Sequence, residues 1–259
     1  MADFSAKDVQ ELRKSTGAGM MDAKRALVDS GGDFDGAVQI LREKGLAKAA
    51  TRADRENAEG VIAIAQDDTG AALVQLKSET DFSAKSDAFQ ALVQELADLV
   101  LAKGPEAVAE KQEAIEDLKL VIKENIEIGT VERFLASDGK TIDAYLHGGG
   151  RAGVLVEGEG VDADTLHEVA LNVAFAKPTY LTREDVPADE VAKERSALLD
   201  ITKSEGKPEA AWEKIVDGRL NSWFGERVLL EQGVLGEKET VSQRIGSGSI
   251  TRFVLSTIG

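Results

Sequence analysis

For general acid–base chemistry or metal ligation near neutral pH, this chain offers two histidines, His147 and His167, and 47 acidic residues. Two histidines without a local carboxylate motif make a poor metal site. Acids this numerous fall into close pairs by chance, and no pair stands out as a general acid with its base. The lack of cysteine removes thiol nucleophiles, disulfides and cysteine-ligated zinc, and fits a reducing compartment. No Gly-x-x-x-x-Gly-Lys-[Ser/Thr] phosphate loop occurs. Gly246-Ser-Gly-Ser249 leads into a strand pattern rather than a helix, so it reads as a turn. The expectation is a chain with no catalytic residues, no metal and no cofactor, acting through contacts.

The most telling contact segment is Lys77-Ser-Glu-Thr-Asp-Phe-Ser-Ala-Lys85. An apolar strand pattern (Ala71, Leu73, Val74, Leu76) runs into it, and an amphipathic helix pattern (Phe89, Leu92, Val93, Leu96, Val100) runs out. Thr80-Asp81-Phe82 therefore occupies a strand-to-helix corner, where Thr80 or Asp81 can cap the helix. Phe82 has two readings at this point. It is a hydrophobic staple folded onto its own helix, or an exposed wedge that meets another molecule.

Residues 5–45 read as three short helices. Ser5 with Asp8 signals the first start, Gly17 and Gly19 break the chain, Gly31-Gly32 stops the second helix, and Asp33 caps a third that ends at Gly45. Residues 46–59 are alanine-rich and charged without an apolar stripe, and read as a linker. From Gly60 the period changes: Val61–Ile64 and Ala71–Leu76 flank Asp67-Asp-Thr-Gly70, a hairpin signal. Helices are expected over 83–103 and 105–123, separated by Gly104-Pro105. Strand patterns follow at 130–137, 141–146, 152–156 and 250–255, and Asp162 or Asp164 caps a helix carrying Leu166, Val169, Ala170 and Val173. Residues 187–204 and 208–223 form an antiparallel helical hairpin. It holds both tryptophans, Trp212 and Trp223, which either join the two helices or meet a partner. A weak internal repeat of hairpin, corner and helix spans 61–102 and 141–176.

At 259 residues the chain is long enough for two or three domains, and its 42% hydrophobic content suffices for real cores. The net charge of −16 repels phosphate backbones and anionic membranes, and no basic run offsets it. Direct nucleic-acid or membrane binding is not expected. The N-terminus is polar and acidic, unlike a signal peptide, and no apolar run is long enough to span a bilayer. The expectation is a soluble cytoplasmic protein.

The segment Leu12-Arg-Lys-Ser-Thr-Gly-Ala-Gly-Met-Met-Asp-Ala-Lys-Arg-Ala-Leu27, followed by the Thr80-Asp81-Phe82 corner, resembles the elongation factor Ts family. The match continues through Glu124-Asn-Ile126, Tyr145-Leu-His-Gly148 and Gly153-Val-Leu-Val156, and covers nearly the whole chain. The fold it implies is α+β, and four regions follow from the resemblance together with the pattern. A three-helix ubiquitin-associated-like docking bundle spans 1–45, and a linker 46–59. Two related strand-hairpin/helix half-domains span 60–140 and 141–259, with the helical hairpin inserted at about 187–224.

The function implied is that of a translation elongation factor without an active site. It binds elongation factor Tu in its GDP-bound and nucleotide-free states and promotes GDP release, so that GTP can reload. The resemblance assigns Leu12, Arg13, Met20 and Met21 to docking on the partner's nucleotide domain, and Thr80, Asp81, Phe82 and Ser83 to dislodging the partner's magnesium. Ile126 and His147 are further partner contacts, His147 near the phosphate-loop side. Self-association as a homodimer or a heterotetrameric complex is within the family's range. The competing reading is an adaptor that binds partner helices through its bundle without accelerating anything.

Overall fold

The structure, a computed structural model, describes residues 4–259. The chain divides into two compact units. One holds the residues up to Ala63 with Val74–Val131 and Ile258–Gly259; the other holds Ile64–Leu73 with Glu132–Thr257.

The first unit begins with a bundle of α1 (Ala6–Thr16), α2 (Met20–Asp29) and α3 (Phe34–Ala50). The Ser5 hydroxyl accepts from the Asp8 N–H while the Asp8 carboxylate accepts from the Ser5 N–H, a complete capping box. Gly17 ends α1 in the left-handed region (φ 65°), and Asp33 caps α3. Val9, Leu12, Ala23, Ala26, Leu27 and Ala37 form the bundle core.

The expected helix end at Gly45 is corrected: α3 continues to Ala50. Gly45 serves close approach instead. A Cβ there would lie 2.5 Å from Leu120 Cδ2, so the missing side chain lets α3 come against α6 (Gln112–Ile122). Arg42 reinforces that contact through Glu113 (2.7 Å) and Asp117 (3.2 Å).

Strands β1 (Glu59–Asp67), β2 (Gly70–Ser78) and β3 (Glu127–Leu135) form one sheet in the order β1-β2-β3. The expected helix from 83 is two helices. A single turn, α4 (Asp81–Ala84), is followed by α5 (Asp87–Lys103). Ser86 separates them, because its backbone is extended and its hydroxyl donates to Ser83 O (2.8 Å) in place of helical continuation. The expected helix 105–123 likewise opens as a 3₁₀ segment, Pro105–Lys111, before α6.

In the second unit β4 (Lys140–His147), β5 (Ala152–Glu159) and β6 (Ser249–Thr257) pair antiparallel in the order β4-β5-β6. Helix α7 (Ala163–Ala176) follows β5 as α5 follows β2, so the two halves share one plan. Val154, Val156, Leu166, Val169, Ala170, Val173 and Ile250 build the core of this half. The hairpin α8 (Ala188–Ser204) and α9 (Trp212–Arg227) is inserted before the four-residue α10 (Val241–Arg244) and β6. Trp223 meets Phe224 edge-on and is buried with Val186, Leu220 and Val228. Trp212 closes the hairpin turn, its Nε1–H donating to Lys207 O (2.8 Å). No helix among the described residues is long and apolar enough to cross a membrane.

Period-two alternation on β5 sends Val154 and Val156 to that core, so Glu157 faces the other way, yet it is only 2% exposed. Its carboxylate is answered by Lys140 Nζ (2.8 Å), Arg252 (2.9 Å) and Thr251 Oγ1 (2.6 Å). Burial by itself would push the Glu157 carboxyl up; the three hydrogen bonds override it and hold it at about 2. A folded-state value below the unfolded one makes stability that is complete above the usual pH near 4.5 and is lost as pH falls toward 2. The contribution is on the order of 3 kcal/mol. Urea melts of wild type and Glu157→Gln should therefore differ constantly above pH 5 and converge between pH 4.5 and 2. A difference that does not change with pH would show that this carboxylate is not the titrating group.

Candidate partner-binding site

Thr80 sits where β2 gives way to α4, in extended backbone (φ −127°, ψ 154°) that suits an N-cap. Its hydroxyl accepts from the Ser83 N–H (3.3 Å) and donates to Glu124 Oε1 (2.7 Å). The other oxygen of Glu124 accepts the backbone N–H groups of Glu79 and Thr80, each at 3.1 Å. The exchange is reciprocal: Glu79 Oε1 accepts the Asn125 N–H at 2.7 Å. Asn125 is buried, and its Nδ2 donates to Ala53 O (3.2 Å) and Arg55 O (3.0 Å). Two segments more than forty residues apart are thus clasped, each by the other's carboxylate on its own backbone amides. The Asn125 N–H holds the Glu79 carboxyl below its usual range against the opposing effect of burial, and the Arg55 guanidinium adds to it.

The four residues of α4 divide sharply. Ser83 and Ala84 are 8% and 3% exposed, whereas Phe82 is 83% exposed. One helical turn has room for a single inward pair, and the smaller side chains take it. Phe82 therefore does not fold back as a staple. Asp81 stands beside it in an i,i+4 ion pair with Lys85 (2.6 Å), whose hydrogen bond lowers the Asp81 carboxyl and keeps it ionised.

The remaining expected contact residues separate by burial. Arg13 is exposed, as are Met20 (47%) and Met21 (66%), at the tip formed by the end of α1 and the start of α2. Leu12 and Ile126 differ from the exposed contact residues: both are fully buried. Leu12 falls on the inner face of α1 with Val9, and Ile126 lies on the inner side of the chain between α6 and β3. Ser83 likewise faces inward, holding the corner from inside rather than presenting a surface. His147 is exposed at the end of β4 in the other unit, its Nδ1 hydrogen-bonded to Tyr145 Oη (2.9 Å). His167 is held separately by Asp143 (3.1 Å). No group of acids and histidines suited to a metal occurs among the described residues.

The residues missed from sequence were Glu79, Glu124 and Asn125. Their only signal was adjacency, Glu79 to Thr80 and the other two to Ile126, in segments already singled out for other reasons.

An α+β fold thus carries an exposed aromatic on a clasped corner, and an exposed arginine and two exposed methionines on a small bundle. Comparison with known proteins gives the family. The profile described as Elongation factor TS matches residues 79–259. Elongation factor Ts of Mycobacterium avium (strain 104) is 45% identical over 281 residues, covering 100% of this chain and 99% of its own. Those of Thermobifida fusca (strain YX) and Clavibacter sepedonicus are 42% and 41% identical, over 100% and 97% of this chain and 99% and 96% of theirs. The chain belongs to the elongation factor Ts family, and its role is that of a translation elongation factor.

Proposed function

We propose that this chain binds elongation factor Tu and speeds the loss of its GDP by displacing the magnesium and the phosphate-binding elements, after which GTP reloads. No bond is made or broken by the chain itself. The physics is linkage: a factor that fits the nucleotide-free shape better weakens nucleotide binding by the ratio in which nucleotide weakens its own. Nucleotide affinity in such a partner rests on magnesium bridging phosphate oxygens and on a glycine-rich loop at a helix N-terminus. The observation that carries the proposal is the exposure of Phe82 on a corner clasped by Glu124 and Asn125. Entering a crevice, it gains about 2 kcal/mol of burial, which offsets part of the work of shifting a packed element. Asp81 would then exchange Lys85 for donors at the displaced site. Arg13, Met20 and Met21 supply docking area, with His147 as a further contact.

The test is release of a fluorescent GDP from loaded elongation factor Tu on mixing with this protein. Acceleration supports the proposal; binding without acceleration gives the adaptor reading instead. In the same assay Met20→Ala/Met21→Ala should raise the concentration for half-maximal effect about tenfold and leave the saturating rate nearly unchanged, since these side chains supply affinity. An unchanged half-maximal concentration would remove the bundle from the docking surface.

A further inference from the structure

The acidic chain conceals a basic groove. A cavity of about 720 Å³ opens in the first unit between the α1–α2 turn, α3 and α6. Six cationic side chains and two acidic ones line it, in a protein of net charge −16. No basic run in the sequence announces it, because Arg25 on α2, Lys48 and Arg52 at the end of α3, and Lys123 at the end of α6 come from three separate places and meet only when α3 packs on α6.

Two of the six cations are already answered. Arg42 is paired with Glu113 and Asp117, and Lys44 with Asp29. Arg52 is felt electrostatically by Glu79. Arg25, Lys48 and Lys123 have no ion-pair partner among the described residues. Lys123 also occupies the left-handed position that ends α6 (φ 65°), where glycine is the unstrained choice. The groove wall is apolar, formed by Val38, Leu41, Leu120 and the exposed Val121 on either side of the close approach at Gly45. Its volume lies within the range of small-molecule sites, roughly 300–1,000 Å³.

We propose that this groove binds a small phosphorylated molecule with an apolar ring, a nucleoside polyphosphate by chemical class. Arg25, Lys48 and Lys123 receive the phosphates, and Val38, Leu41 and Val121 flank the ring. Unpaired cations around a confined apolar wall favour multiply charged phosphate over carboxylate. The confined volume favours a small molecule over a nucleic-acid strand. The site uses side chains rather than a glycine-rich phosphate loop, so the absence of that motif does not bear on it. It contains none of Thr80, Asp81 and Phe82.

The test is titration calorimetry of the full chain at low salt with ATP, pyrophosphate, adenosine and a single-stranded RNA oligomer. ATP should bind saturably at one site, pyrophosphate more weakly and adenosine not at all, with affinity falling as salt rises. Lys48→Glu/Lys123→Glu should weaken ATP at least about tenfold. Arg25→Glu/Lys48→Glu, which leaves the end of α6 intact, should do the same. Thermal melts of both variants should match wild type, because these side chains are exposed. The proposal is overturned by three results: no saturable binding of ATP or pyrophosphate, affinity unchanged in both variants, or binding confined to a single-stranded RNA oligomer. GDP release from elongation factor Tu is not measured in this experiment, so its outcome stands apart from the exchange proposal.

Discussion

Phe82→Ala should leave the melting temperature within about 2 °C of wild type and slow partner GDP release at least tenfold. The stability half follows from position. A side chain that is 83% exposed has little burial to lose, and surface substitutions of this kind stay within about 0.5 kcal/mol. The functional half follows from what the ring would gain on entering the partner. Losing about 2 kcal/mol of burial in the complex that releases nucleotide slows the step by more than a factor of ten. Phe82→Leu should fall between, since it retains apolar bulk without the flat ring. Stopped-flow release of fluorescent GDP and a thermal melt decide the matter together. A loss of 3–5 kcal/mol of stability would instead mark a core phenylalanine, and an unchanged release rate would dismiss the wedge.

Glu124→Ala should damage both properties, because this carboxylate never faces the partner in the proposal but holds the corner that does. Its removal leaves the Glu79 and Thr80 N–H groups and the Thr80 hydroxyl without their acceptor. Partly buried donors left unpaired cost about 1–3 kcal/mol. The corner should loosen, and release should slow by about tenfold as Phe82 loses its fixed direction. Hydrogen exchange separates this account from general destabilisation: the Glu79 and Thr80 amides should exchange faster by more than amides in the bundle do. Glu124→Gln keeps one acceptor oxygen and should recover part of both effects. Uniform acceleration of exchange across the unit would mean that Glu124 supports the fold and has no special relation to the corner.

The amino-acid sequence by itself determined what acts over a few residues. The Ser5–Asp8 capping box, the Asp33 cap, the turn before Gly70 and the Thr80 N-cap on Ser83 all depend on partners within about four positions, and all are present. The outward aim of Phe82 was one of two local possibilities. It was decided when Ser83 and Ala84 took the inner side of a single helical turn. The burial of Leu12 and Ile126 was undecided for a related reason: an apolar residue beside a candidate contact segment reads alike from sequence whether it faces the core or a partner. Only packing shows which face is covered.

What the tertiary structure alone decided involves distant residues. Glu124 and Asn125 meet Glu79 and Thr80 across more than forty positions. Gly45 is needed for Leu120 rather than as a helix stop. The basic groove gathers cations from three separate places. Local signals are legible because the chain supplies both partners in one turn. Contacts of this second kind exist only after burial of the apolar faces has brought remote segments together, and that burial is non-directional. It specifies which faces hide, and the positions of the polar groups carried along with them follow from the whole packing.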